Sequence, residues 1–480
     1  MKNYIIFLIQ IIAFQFAIGQ NANIIIKGRI SNEAPRSFSD DFWFYDEYNL
    51  LASNAGDVYP FHLDNGKFEV RLVANEPYGY FRCRAVFLTS QLLDLYLMQP
   101  GDSIFMDIQG NDKVLFSGKG SEKLNYQSYA ARIASDANFI SHKDTVKYGK
   151  LDYPSMKLKK IQDGINLCID SLKKLNKIAD DMTIEILRVN TLSNFSKLYV
   201  ASLGSIYPSS NEKEKQFILN YLQTIILQQQ TATISNEKIL KNCPAYQNLL
   251  YYTQLYYDRL ILNNSIVNAV KIHSTYNSFE KNYTGLLRDK LITALLIQQD
   301  RDDQSLPLAE NALTFLTDQR SKFTIAKFVN SRKSGFAAYP FIFETIDGNN
   351  IKLDDFKGKL LIIDSWYYGC TNCAILSHNL APVVKKYKNS DKVTFLSVNV
   401  DRDKVKFKKG IESGLYGEKG VLHVWTKGNG EKDPFIKHYQ YYGYPNILII
   451  DENGNVLTAN PFETGEEAAK KIDEIIKNNI

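Results

Sequence analysis

The sequence predicts a multidomain chain: a C-terminal α/β unit with a mixed sheet, preceded by a β-sandwich-like domain and an all-α middle region. Three observations carry this expectation. At 480 residues the chain exceeds what one hydrophobic core serves, so roughly two to four domains are expected. The apolar spacing changes twice, from short alternating runs to three- and four-residue spacing near 121, and back to strand-length runs near 335. Near the C-terminal end, the apolar run Leu360-Leu361-Ile362-Ile363-Asp364-Ser365-Trp366 precedes Cys370-Thr371-Asn372-Cys373 and then the helical pattern Ala374-Ile375-Leu376-Ser377-His378-Asn379-Leu380.

Residues 1–20 stand apart as a signal peptide. Lys2 supplies a positive start, Ile5 to Ile18 is apolar apart from Gln10 and Gln15, and Ala17 and Gly19 place small residues at a cleavage spacing. An apolar stretch of about 14 residues is short for a membrane span, which needs roughly 20. The mature protein is therefore expected in the periplasm or cell envelope.

Residues 21–120 read as the β domain, structural or docking in role. Ile24 to Ile30, Lys67 to Leu72 and Ser103 to Ile108 are short, partly alternating runs, separated by the turn signals Asp64-Asn65-Gly66 and Pro100-Gly101-Asp102. A small antiparallel sandwich fits them. Residues 121–334 read as a helical domain, with apolar residues at three- and four-residue spacing over Met156 to Ile178, Glu212 to Gln229, Pro244 to Asn263 and Arg288 to Gln299.

Residues 335–480 form the α/β unit. Phe341 to Thr345 and the turn Asp347-Gly348-Asn349-Asn350 predict a hairpin. The strand 360–366, a helix after Cys370 and the strand Val393 to Val400 follow. A second hairpin flanks Asp451-Glu452-Asn453-Gly454, and a helix from Glu466 to about Lys477 closes the chain.

Charge and cysteine usage exclude several function classes. A net charge of +5 is too dilute over this length to predict nucleic-acid binding, and Lys404 to Lys409 reads as a solvated face. Five cysteines are too few, and odd in number, for a disulfide scaffold. Cys83 and Cys168 fall on apolar faces and read as inert core residues, whereas Cys243 is either free or paired with Cys168.

Cys370 and Cys373 are different. A strand that delivers two cysteines onto the first turn of a helix is what dithiol exchange requires. The partial positive charge of the helix N-terminus stabilises a thiolate on the first cysteine. The second, one turn on, is placed to attack any mixed disulfide that the first one forms.

Four features occur in order: Asp354-Asp355-Phe356-Lys357-Gly358-Lys359, the Asp364-Ser365-Trp366 strand end, the CxxC, and Tyr442-Gly443-Tyr444-Pro445-Asn446 before an Asp-x-Asn-Gly hairpin. Together they resemble the thioredoxin fold in its exported TlpA/ResA-like branch of thiol–disulfide oxidoreductases, over roughly residues 335–480. The upstream β-plus-helical layout is similar to multidomain bacterial members of that branch.

The resemblance implies a role for each matched residue. Cys370 would be the exposed nucleophile and Cys373 the shielded resolving thiol. Asp364, six residues before Cys370, would be the buried acid that takes the proton of Cys373; its alternative is a polar strand end facing water. Pro445 would be the cis-proline, and Trp366, Tyr444 and Pro445 would line the substrate surface, with the Tyr444 backbone pairing with an extended peptide. No bound cofactor is implied beyond a redox-active Cys370–Cys373 disulfide. The partners would be thiols or disulfides of exported proteins and a DsbD-type membrane electron donor.

The chain departs from the pattern in three places. Gly369 stands where a tryptophan usually precedes the first cysteine, which removes one wall of the substrate surface. Thr371-Asn372 replaces the common Gly-Pro and leaves the potential unassigned. His378 stands where a helix proline is expected, with Pro382 a turn later, and reads as solvent-exposed because no fourth zinc ligand accompanies it and the two thiols.

Two other readings compete. A thioredoxin-fold peroxidase would carry Pro-x-x-x-Thr-x-x-Cys, but residues 363–369 contain neither Pro nor Thr. An envelope binding protein would hold a partner with its front domains and keep the redox pair as a secondary feature.

Overall fold

A computed structural model of the chain describes residues 22–30, 38–45, 57–60, 63–85, 95–109, 113–149, 152–175, 178–231, 237–263, 272–302, 304–441, 443–459 and 465–480. The expected signal peptide lies outside the described residues. The chain divides into two compact units, Met1–Val270 and Lys271–Ile480. The division falls inside the segment expected as one helical domain over 121–334, so its helices belong to both units.

The described strands of the first unit are β1 (Ile24–Ile30), β2 (Phe38–Tyr45), β3 (Asp57–Pro60), β4 (Lys67–Leu72), β5 (Gly79–Ala85), β6 (Tyr96–Met98), β7 (Ser103–Gln109) and β8 (Lys113–Lys119). They form two four-stranded sheets, ordered β4-β1-β7-β8 and β3-β2-β5-β6. Strict alternation sets the facing of β4: Phe68, Val70 and Leu72 are buried, while Lys67, Glu69 and Arg71 are exposed. Ile24, Met106 and Phe116 of the first sheet share one core with Phe42, Phe44 and Phe81 of the second. The domain is a sandwich. It is not wholly antiparallel as expected, because β1 pairs with β7 in parallel, with Ile26 beside Ile104. No hairpin joins these two strands, so no local turn imposes antiparallel pairing on them.

The helices of this unit are α1 (Ser121–Asn138), α2 (His142–Tyr148), α3 (Tyr153–Leu175), α4 (Asp181–Ile206), α5 (Glu212–Thr231), α6 (Glu237–Asn242) and α7 (Pro244–Asn263). A buried ion pair fixes α1 to the sandwich. Lys123 Nζ lies 2.7 and 2.6 Å from the two carboxylate oxygens of Asp102, with side chains 6% and 7% exposed. Cys168 and Cys243 are buried and unpaired, and burial pushes the Cys168 thiol up to about 12 and that of Cys243 upward as well. Neither is a reactive thiol. No helix among the described residues is long and apolar enough to cross a membrane.

The second unit opens with α8 (Ile272–Asn282), α9 (Gly285–Gln298), α10 (Ser305–Ala312) and α11 (Gln319–Arg332). There follow β9 (Ile342–Thr345), β10 (Asn350–Lys352), β11 (Leu360–Trp366), α12 (Thr371–Tyr387), β12 (Val393–Asn399), α13 (Lys404–Glu412), β13 (Val421–Trp425), α14 (Pro434–His438), β14 (Asn446–Ile450), β15 (Val456–Ala459) and α15 (Glu466–Asn478). The sheet order is β10-β9-β13-β12-β11-β14-β15. Central β11 runs parallel to β12 and antiparallel to β14, so the sheet is mixed.

Both faces of the sheet are covered. Leu360 and Ile362 face α12 and α15, joining Leu376, Leu380, Ile472 and Ile476. Leu361 and Ile363 face the opposite core, with Phe341, Phe343, Phe435 and Tyr439. This parity decides where the next residues of β11 go. Asp364 and Trp366 continue the row of Leu360 and Ile362, on the α12 face.

Candidate functional site

Cys370 is the N-cap of α12, and its Sγ accepts a hydrogen bond from the Cys373 N–H at 3.1 Å. The two cysteines form a disulfide. An amide aimed at Cys370 Sγ from the first turn of a helix stabilises negative charge on that sulfur once the pair is reduced.

The disulfide packs in a cluster with Trp366, Phe407, Tyr416 and Trp425, against which Tyr444 also rests. Cys370 is 3% exposed and Cys373 4%. The expectation of an exposed Cys370 therefore needs correction: in the disulfide state both sulfurs lie under neighbouring side chains. Trp366 also needs correction as a substrate-facing residue. It is fully buried, and its ring stacks on Tyr416 with centroids 4.4 Å apart and planes 7° from parallel. It supports the disulfide from behind.

The turn before Cys370 is held by two bonds from its backbone. The Tyr368 N–H donates to Asp401 Oδ2 at 2.7 Å, and the Gly369 N–H donates to the Tyr416 hydroxyl at 2.8 Å. Gly369 has φ +93°, in the left-handed region where a side chain is strained, so glycine suits this turn and tryptophan does not. Tyr367 and Tyr368, exposed at 42% and 43%, put aromatic surface beside the disulfide instead. Their sequence signal is the adjacent pair of tyrosines directly after the strand. His378 is exposed on α12.

Asp364 lies mid-sheet, with Ser397 of β12 and Ile447 of β14 beside it in register. Its carboxylate accepts a hydrogen bond from Ser397 Oγ at 3.1 Å. Burial among apolar neighbours pushes the carboxyl up to about 7, and the Ser397 bond only partly offsets that. The water-facing alternative does not describe it, although part of the residue remains accessible. His423 follows Ser397 in register on β13, and burial pushes its imidazole down to about 4. No local pattern marked His423.

The peptide bond between Tyr444 and Pro445 is cis. The Tyr444 ring meets Tyr367 edge-on at 5.8 Å. Neither the N–H nor the C=O of Tyr444 has a hydrogen-bond partner among the described residues, and the β11–β14 ladder begins only at Asn446. The structure thus gathers Cys370, Cys373, Trp366 and Tyr444 in one cluster, with Pro445 next to Tyr444 and Asp364 one step back along β11.

Residues 358–456 match the family model described as thioredoxin-like. The C-terminal domain is thioredoxin-like. The chain is 27% identical over 143 residues to the thiol-disulfide oxidoreductase ResA of Bacillus thuringiensis and to that of Bacillus cereus, matches that cover 30% of this chain and 76% of each relative. Solved structures similar to it include the thioredoxin domain of a thiol-disulfide oxidoreductase from Bacteroides vulgatus, at 24% identity over 30% of this chain and 97% of that one, TM-score 0.26. Another is a thiol:disulfide interchange protein from a Bacteroides species, at 23% identity over 31% and 92%, TM-score 0.27.

Proposed function

We propose that the protein is an exported thiol–disulfide oxidoreductase that exchanges the Cys370–Cys373 pair with cysteines of other proteins, its electrons supplied or drained by a DsbD-type membrane partner. The observation that carries this reading is the disulfide at the N-terminus of α12, with a carboxyl of raised affinity for protons on the same face of the sheet. The apolar stretch after Lys2 supports export.

In the reductive direction the Cys370 thiolate attacks one sulfur of a substrate disulfide. A Cys370–substrate bond forms, the substrate S–S bond breaks, and the departing thiolate takes a proton from water. Cys373 then gives its proton to Asp364 and its thiolate attacks the Cys370 sulfur, which closes the protein disulfide and expels the second substrate sulfur as a thiolate that takes a proton from water. Two electrons pass to the substrate, and the reverse sequence oxidises a dithiol. A carboxyl near 7 suits this exchange, because it accepts and returns a proton at ordinary pH.

The test is a Cys373→Ala variant, which keeps the nucleophile and removes the resolving thiol. Disulfide-linked partner proteins should accumulate on it in vivo and vanish when Cys370 is also replaced. Absence of trapped species, together with no insulin reduction by the wild type, would refute the reading. Peroxide consumption far faster than disulfide exchange would replace it with a peroxidase.

A further inference from the structure

We propose that Arg301 forms an anion subsite of the exchange surface and binds a carboxylate of the substrate polypeptide. This inference rests on the oxidoreductase reading above. Arg301 lies in the turn between α9 and α10, remote in sequence from the cysteines. Its guanidinium crosses to the cis-proline loop, where Nη2 donates to the Pro445 carbonyl at 2.7 Å.

The turn is fixed by its two acidic neighbours, and neither is directed at Arg301. The Asp300 carboxylate accepts from Arg332 Nη2 at 3.2 Å. Asp302 accepts from the backbone N–H groups of Ile272 and Gln304 at 3.2 and 2.9 Å. A guanidinium carries five N–H groups. Beyond the bond to Pro445, those of Arg301 have no partner among the described residues.

A single bond to a neutral carbonyl needs no charge, and an amide side chain would serve. What Arg301 adds is a half-buried cation with spare donors, geometrically suited to a carboxylate. Its position gives that carboxylate an origin. Tyr444, next to Pro445, has an N–H and a C=O without a partner among the described residues and packs against the disulfide cluster. An extended substrate that pairs with Tyr444 passes beside Pro445, within reach of the guanidinium. Burial, with the carboxylates of Glu431 and Asp433 adding to it, disfavours negative charge at the Tyr444 hydroxyl.

The experiment uses reduced full-length protein and single-cysteine peptides held as mixed disulfides with 2-mercaptoethanol, with rates read by rapid-quench mass spectrometry. One series places Asp or Asn at each position flanking the cysteine. A second compares free with amidated C-termini, which separates a side-chain carboxylate from a terminal one. At one position, or at the terminus, the charged peptide should react about tenfold faster than its neutral twin, the scale of a charge-assisted hydrogen bond. In Arg301→Gln, which keeps a donor and loses the charge, that ratio should fall to within about twofold, and Arg301→Lys should keep part of it. Equal wild-type rates for charged and neutral peptides overturn the subsite and leave the oxidoreductase reading intact. So does a preference that persists in Arg301→Gln. Absence of exchange with every peptide overturns both. The wild-type series decides the matter even where a variant fails to fold.

Discussion

Replacing Asp364 by Asn isolates the cost of a charged carboxylate inside the sheet. The carboxyl is raised from 3.8 to about 7 by burial, and each unit corresponds to about 1.4 kcal/mol. The full shift is about 4 kcal/mol, which partial solvent access at the residue reduces to about 2–4 kcal/mol. The folded value lies above the unfolded one. Protonated Asp364 therefore contributes stability that is fully present below about pH 4 and is lost as pH rises through about 7. Asn cannot ionise and shows no such loss. Denaturant melts of the oxidised full-length protein, followed through the fluorescence of Trp43, Trp366 and Trp425, should show wild type losing about 2–4 kcal/mol relative to Asp364→Asn between pH 4 and 8. Single-turnover rates should show the matching change, the variant lacking the wild-type inflection near pH 7. A stability difference that stays flat with pH would mean an ordinary solvated acid, and the proton-transfer role would fall with it.

Lys123→Met should destabilise the first unit by about 3–5 kcal/mol in thermal or denaturant melts, because it leaves the Asp102 carboxylate buried without its partner. The double variant with Asp102→Leu should recover most of that loss, and failure to recover would argue against a desolvation origin. Gly369→Ala should cost about 1–2 kcal/mol in melts of the oxidised protein, since φ +93° is unfavourable for any residue with a Cβ. An unchanged melting curve would show that the turn relaxes freely.

How far the sequence could be read depended on whether a signal was local. Strands β1 and β4 match their expected bounds because alternation and flanking turns are written into adjacent residues. Strand β13 has no clear local signal, because Val421-Leu422-His423-Val424-Trp425 is short and carries a histidine at its centre. What makes that histidine tolerable, burial against the Trp366 ring at 6.4 Å, is a tertiary fact. Trp366 was assigned to the surface by its place in a motif, although strand parity from Leu360 onward already pointed it inward. Lys404 to Lys409, by its charge a solvated face, forms most of α13, with Phe407 buried. Arg301 lies at the other extreme. Gln299-Asp300-Arg301-Asp302 reads only as a polar turn, and nothing within it announces a proline 144 residues away.

Burial of the sulfurs bears on how a polypeptide would be preferred over a small thiol. With Cys370 only 3% exposed, a thiol must be held in place to displace along the S–S axis, and chance collision rarely achieves that alignment. The N–H and C=O of Tyr444, without a partner among the described residues, offer two backbone hydrogen bonds to an extended chain. At about 1 kcal/mol each they contribute about 2 kcal/mol, or roughly thirtyfold in affinity, to a peptide and nothing to a thiol without a backbone. Such bonds are indifferent to side chains, so they favour polypeptides as a class without choosing among them. A choice requires a group that reads chemistry beside the paired strand. Arg301 is such a group. It is held by the helical segment of the same unit and not by the thioredoxin-like domain itself, which gives that segment a use in choosing the substrate.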